Sequence, residues 1–468
     1  MRPALPCCLL LALTACTDPS SPTPVGDAAA PSASPAAAPS ASPAASPPVA
    51  ATKATPPAKS AEPAASRPPR EDPHTFEAQL AAADRQVQSQ LKSAQRNGRS
   101  SQAYGRVASA CLMRARLSGD WDDYAKAESF VGKAFEIATS PGYGPFMVRA
   151  QLNYTLHRLD RVDADFQKAI ALPSRTPSEL FQRELFGAKV AFQRGQYDLA
   201  KRGLESARRL QTTVSTLAAL AMYHWKAAQF DEAERLYTEA LEAYRGTSTE
   251  PKAWVHLQLG LMDLDRGRWD EALAHYREGE ALIRGYWLLE EHIAEILTLQ
   301  GKTASAQAMY RAIIERTGNP EFMDAMAGIA RAAGNETEAS TWVSQARAAY
   351  EKKLAQFPEA AYGHALEHFL EFGDDPARTL KLAENNHALR PNVDAKRLLA
   401  EAYLGAERAK DARKIIEQAL KTPMRSADLH ATAAAVYAAL GKKAKVQEHE
   451  QAARAINPKI ELAQASAP

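Results

Sequence analysis

A small–large–small triplet recurs ten times in this chain of 468 residues, and it constrains the fold more than any other feature. Its first member falls at Ala127, Val162, Ala200, Ala233, Ala272, Ala306, Ala339, Thr379, Ala412 and Val446, at intervals of 33 to 40 residues. The second member stands four residues on and the third three beyond it, as in Ala233, Tyr237 and Ala240 or Ala272, Tyr276 and Gly279. That spacing places all three side chains on one helix face. The small residues let a neighbouring helix approach, and the large one fills the space beside it. From residue 74 onward apolar residues keep helical spacing between short Gly, Asn, Asp or Pro breaks, with no strand alternation. A single helix pair cannot bury both of its faces, so the units must stack and share a core along the array.

A recurring phrase precedes the triplet: Gly195-Gln196-Tyr197-Asp198-Leu199-Ala200, Gln229-Phe230-Asp231-Glu232-Ala233 and Gly267-Arg268-Trp269-Asp270-Glu271-Ala272. Leu259-Gly260 falls on a first helix, and Pro391 and Pro458 each stand twelve residues after a triplet start. With its period near 34 residues, this pattern resembles the tetratricopeptide repeat. The marks weaken at Val162 and Val446, where the small position is β-branched, and at Thr379, where Ala383 replaces the large residue. The resemblance implies an all-α, right-handed superhelical solenoid of about ten helix pairs over residues 99–460. The first helix of each pair would line a concave groove that binds other proteins. Before the array, Phe76, Leu80, Ala83, Val87 and Leu91 share one side of a helix, read as an N-terminal cap over 74–98. Residues 461–468 read as a frayed tail.

The prolines and cysteines are distributed unevenly. Seventeen of the 29 prolines lie in the first 73 residues, and three of the four cysteines (Cys7, Cys8, Cys16) in the first 16. Arg2 followed by the run Leu9-Leu10-Leu11-Ala12-Leu13 reads as an export signal, being too short to span a bilayer. Leu13-Thr14-Ala15-Cys16 resembles a bacterial lipobox. That resemblance implies cleavage after residue 15, acylation of Cys16 and stable anchoring by several acyl chains. Thr17 after the cysteine implies transfer to the outer membrane. The stretch that follows, 16–73, is rich in Ala, Pro and Ser and holds too few large apolar side chains to offset the entropy of ordering. It reads as a disordered tether with a reach from roughly 40 Å as a coil to about 170 Å extended. No other stretch reaches the roughly 20 apolar residues of a membrane span, so the body is expected to be soluble and extracytoplasmic.

The remaining composition excludes several chemistries. With 57 basic and 55 acidic side chains, the chain lacks the concentrated charge of a nucleic-acid binder. Cys111 is the one cysteine of the body, which rules out a disulfide framework and a cysteine-rich zinc site. Its small, apolar surroundings predict a buried, inert thiol. There is no phosphate-binding Gly-rich loop and no Gly-x-Ser-x-Gly turn. The one catalytic-looking string is His364-Ala365-Leu366-Glu367-His368, which matches the H-x-x-E-H of inverted zinc proteases, with Glu448 and Glu450 as distant acids. Against that match, Tyr362, Leu366 and Phe369 give the same segment the packing stripe of a first helix. Trp254 and Trp287 begin first helices and are candidates for groove aromatics, whereas Trp121 and Trp269 fall at or near the helix–helix turn. The pairs Lys201-Arg202 and Arg208-Arg209 read as a solvated helix face.

These features predict a non-enzymatic scaffold anchored through Cys16 to the outer membrane, its body in the periplasm. It would bind other proteins in its groove, within envelope assembly or secretion, and use no cofactor, metal or nucleic acid. The alternatives are an exopolysaccharide-export component that holds glycan on Trp254 or Trp287, and a zinc-dependent hydrolase built on His364, Glu367 and His368.

Overall fold

The computed structural model describes residues 72–138, 141–173 and 176–462. The expected signal segment, Cys16 and nearly all of the expected tether lie outside the described residues. One helix, α1 (Phe76–Arg96), precedes ten pairs. The first three are α2 (Ser101–Ser118) with α3 (Trp121–Ile137), α4 (Tyr143–Thr155) with α5 (Leu159–Ala171), and α6 (Pro177–Gln193) with α7 (Tyr197–Leu210). Next come α8 (Val214–Lys226) with α9 (Phe230–Ala243), α10 (Glu250–Asp265) with α11 (Trp269–Leu282), and α12 (Trp287–Leu299) with α13 (Thr303–Thr317). Then follow α14 (Pro320–Ala332) with α15 (Glu336–Gln356), and α16 (Pro358–Phe372) with α17 (Pro376–Leu389). The array ends on α18 (Val393–Gly405) with α19 (Ala409–Leu420), and α20 (Ala427–Ala439) with α21 (Lys443–Ile456). Even-numbered helices are called A and the odd-numbered ones after them B. Among the described residues no β-strand occurs, and no helix is long and apolar enough to cross a membrane.

A single local device closes the A–B turn in eight of the ten pairs. The residue five positions before the triplet start adopts a left-handed conformation: His157, Gly195, Ala228, Gly267, Gly301, Gly334, Glu407 and Gly441. Each time the next N–H reaches back five residues, as in Gln196 N to Ala191 O at 2.9 Å and Arg268 N to Asp263 O at 2.8 Å. This is the Schellman closure, which satisfies the last carbonyls of helix A and reverses the chain. Glycine adopts the conformation freely, so five of the eight positions are glycine. His157, Ala228 and Glu407 hold it at a cost of about 1 kcal/mol each.

The triplet stripe faces the core in every pair but the last. The nine starts from Ala127 to Ala412 are all buried, as are Tyr237, Tyr276, Tyr310 and Ile416 at the large position. Thr379 is buried too, with its hydroxyl donating to Asp375 O at 2.9 Å. Val446 is only half-buried, and among the described residues no helix packs beyond α21. Close approach is tightest at Gly260, where a Cβ would stand 2.2 Å from Tyr276 Cε1. This is the physical reason that glycine occurs at this place on helix A.

The array coils tightly enough for its successive turns to touch. The A–B edge of one pair docks on the B–A edge about five pairs later, through hydrogen bonds between residues 170 to 234 apart. At the start, Phe76 N donates to Arg284 O at 2.9 Å, Arg284 N to His74 O at 2.8 Å, and the Phe76 and Tyr286 rings stack 5.6 Å apart. Asp72 pairs with Arg284, so the last residues of the expected tether are already tied to the array. Farther along, Gln356 Nε2 donates to Asp122 Oδ1 at 3.0 Å and Arg158 Nε approaches Glu359 Oε2 at 3.3 Å. Val393 N donates to the Tyr197 hydroxyl at 2.7 Å, and Asn392 Nδ2 to Gln193 Oε1 at 2.9 Å. The contact ends with Arg425 N to Lys226 O at 2.8 Å and Lys459 Nζ 3.9 Å from the Trp269 ring centre. An open concave groove is thereby turned into an interior with a seam along its wall.

Candidate functional site

The H-x-x-E-H string lies on α16, whose neighbour α14 offers Glu321 and Asp324 three residues apart. His364 Nδ1 meets Glu321 Oε1 at 2.9 Å, and His368 Nδ1 meets Asp324 Oδ1 at 2.7 Å. Each histidine is thus held by its own carboxylate on another helix, and the two do not converge with Glu367 on one point. Glu448 and Glu450 lie on α21, paired with Lys445 and Arg454. Among the described residues His364 and His368 join no group of three ligands that could hold an ion, so the geometry does not support the zinc-hydrolase reading. The string is a packing segment whose histidines join α16 to α14.

This motif continues on α12. His292 stands 3.1 Å from both Glu291 and Glu295, and its ring stacks on Tyr276 at 5.2 Å. Three successive A helices thus carry histidine–carboxylate contacts on their inner faces. Burial disfavours charge on His292 and His364, but the carboxylates around them together outweigh it (Glu291 and Glu295 for His292, Glu321 and Glu367 for His364), and both histidines hold their protons more tightly than usual. Burial pushes the Glu367 carboxyl up to about 7, against the opposing pull of His364 and Arg397.

A stability consequence follows from Glu367. Its folded pKa lies above the unfolded value, so its stabilising contribution is fully present below about pH 4.5 and disappears as pH rises to about 7. His292 and His364 act with the same sign, losing their contribution as pH rises from 6.5 through their raised folded values. A Glu367→Gln variant should lose about 2 kcal/mol less stability between pH 4.5 and 7 than the parent. Urea unfolding at the two pH values measures the difference, and identical losses in parent and variant would contradict this assignment.

The inner faces surround a cavity of about 1050 Å³. Its apolar lining includes Trp225, Phe230, Trp269, Ile329 and Phe372, and its charged lining Asp265, Glu295, Asp324, Glu371, Glu401, Arg331, Arg397 and Arg425. Several of the charges are paired within the wall, such as Lys226 Nζ with Asp265 Oδ2 at 3.3 Å and Arg397 Nη1 with Glu401 Oε1 at 2.9 Å. Such a lining can accept both the apolar and the charged side chains of a polypeptide segment.

The expected groove aromatics are elsewhere. Trp254 and Trp287 are 8% and 4% exposed, and Trp287 donates to Leu117 O at 3.1 Å within the seam. Both are too deeply buried to hold a glycan in the interior, and Trp287 is covered by the turn-to-turn packing. Trp225 and Trp269 line the cavity instead, although nothing in their sequence surroundings sets them apart. Cys111 is buried and its thiol pushed up to about 11, mainly by burial, as expected of an inert thiol. On the basic face of α7, Arg208 is partnered by Glu239 at 2.7 Å.

Residues 212–285 match the family model described as tetratricopeptide repeat, a span that takes in α8 to α11. No curated protein matches the chain in sequence. Among solved structures it is similar to the Naa15/Naa10 complex bound to HypK-THB, at 14% identity over 81% of this chain and 68% of that one, with a TM-score of 0.27. It is also similar to the Cut9–Hcn1 hetero-tetramer of the APC/C, at 13% identity over 82% of each chain and a TM-score of 0.37. Yeast Tom70 matches at 13% identity over 80% of this chain and 96% of its own, with a TM-score of 0.33.

Proposed function

We propose that this array is a protein-binding scaffold that receives a segment of a partner protein in its interior. The carrying observation is the 1050 Å³ cavity with its mixed aromatic and charged lining. The tetratricopeptide match over residues 212–285 supports the same reading. Its interior lies at the upper end of small-ligand sites, roughly 300–1,000 Å³, and is partly open, which suits a polypeptide segment. We further propose that the body is held at the bacterial outer membrane through lipid on Cys16, in the periplasm, and serves envelope assembly or secretion. Support for this part rests on Leu13-Thr14-Ala15-Cys16 and the Ala/Pro/Ser-rich stretch after it.

Site-specific cross-linking in the producing cell tests the interior. A photoreactive amino acid at Phe372, which lines the cavity, should give a defined adduct with another protein. The same group at Leu199, on the exposed face of α7, should not. No adduct from Phe372, or equal adducts from both positions, would overturn the proposal. Fatty-acid labelling that is lost in Cys16→Ser supports the anchor, and equal labelling refutes it.

A further inference from the structure

The sequence assigns no metal ligand, yet the fold brings together three groups suited to one. His256 lies on α10, and His275 and Glu278 stand three residues apart on the facing helix α11. His256 Nδ1 is 2.9 Å and His275 Nδ1 3.5 Å from the same Glu278 Oε2, and the three atoms lie within 4.8 Å of one another. A tetrahedral zinc site with bonds of about 2.0–2.1 Å has ligand–ligand edges of about 3.3 Å. Two of the three edges already match that length. We propose that His256, His275 and Glu278 form a binding site for a divalent transition-metal ion, zinc by ligand preference.

Three observations carry the assignment beyond proximity. Both Nδ1 atoms are withdrawn from solvent, and neither makes a hydrogen bond, so each directs a lone pair or proton into the site without a directional partner. His275 Nε2 faces the buried Asp263 carboxylate at 3.7 Å, which places a negative charge behind the ring as is common for a ligating histidine. Glu278 is 59% exposed, which leaves an entry path and an open coordination position for water or a partner's side chain. Lys252, the nearest cation on α10, lies over the Tyr244 ring 5.9 Å away. The other convergent group, Glu291, His292 and Glu295, is wholly buried and capped by the Tyr276 ring, so it lacks such a path.

The test uses the full chain with Cys7, Cys8 and Cys16 changed to Ser, so that the thiols of the N-terminal segment do not bind zinc. Calorimetric titration of the metal-free protein with Zn²⁺ at pH 7.5 should give one ion per chain with a Kd near or below about 1 μM. Co²⁺ in its place should develop the strong visible bands of a tetrahedral site. Glu278→Gln, at a solvent-exposed position, should weaken Zn²⁺ binding on the order of 100-fold, and His256→Gln/His275→Gln should abolish it. Circular dichroism of each variant establishes that its fold is intact. His292→Gln/Glu295→Gln should bind Zn²⁺ as the parent does. Absence of Zn²⁺ binding in the parent, or unchanged binding in Glu278→Gln, would overturn the proposal.

Discussion

A Trp225→Ala variant should lose about 3–5 kcal/mol of stability, the largest loss expected from any single substitution considered in this chain. Trp225 is 2% exposed at the end of α8, where three structural features meet. Its ring packs in the main hydrophobic core that runs through the middle of the array. Its Nε1 donates to Asp265 Oδ2 at 2.9 Å, and Lys226 Nζ lies 3.9 Å from the ring centre while also meeting Asp265. The Lys226 carbonyl accepts the seam hydrogen bond from Arg425 N. Truncation therefore opens a cavity, removes one of the donors to a carboxylate whose pKa is already raised by burial, and loosens the wall of the interior. Urea unfolding followed by circular dichroism measures the loss. A change under about 1 kcal/mol would mean that the site collapses around the missing ring.

The second large effect concerns cooperativity. A Tyr197→Phe/Asn392→Ala variant should lose about 2–4 kcal/mol and unfold in two transitions where the parent unfolds in one. Removing the Tyr197 hydroxyl leaves the buried Val393 N–H without its 2.7 Å acceptor. Changing Asn392 removes the side-chain cap on Ala395 N at 2.9 Å and leaves Gln193 Oε1 without its donor. In an open solenoid each repeat feels only its neighbours, and stability adds along one dimension. Here α6 and α18 hold one another across the seam, so the early and late pairs are coupled. Calorimetry separates the outcomes. A single transition with unchanged width in the double variant would mean that neighbour contacts alone carry the cooperativity.

Much of the local architecture was legible because its physics is local. The triplet at Ala233, Tyr237 and Ala240 needs only the helical period to define a buried face, and all three residues are buried. Even Thr379, the weakest-looking start, lies in register, its hydroxyl satisfied by the carbonyl four residues before it. The A–B turn was legible where it is glycine, as at Gly195 and Gly267. It was hidden at His157, Ala228 and Glu407, where a residue poorly suited to the left-handed conformation is held there by its surroundings. The reversal of expectation at Trp254 and Trp287 has a similar origin. Their places on first helices were correctly read, but a place on a helix does not reveal what packs over it.

The same limit governed the sites. The H-x-x-E-H string could be read from five consecutive residues, yet its partners, Glu321 and Asp324, lie more than 40 positions away and redirect each histidine. Conversely, His256, His275 and Glu278 form no contiguous motif, and their convergence depends on the packing of α10 against α11.

The sequence by itself determined the unit: an A helix, a reversing turn, a B helix with a small–large–small stripe, and the requirement to stack ten such pairs. Only the tertiary structure decided how tightly the stack coils. Each pair rotates a little relative to the last, through side-chain packing that has no periodic signature. These small rotations accumulate until residues about 200 positions apart meet, as Gln193 meets Asn392. That accumulation turns the groove into a partly open interior, ties Trp287 into the seam, and places Trp225 and Trp269 on the cavity wall.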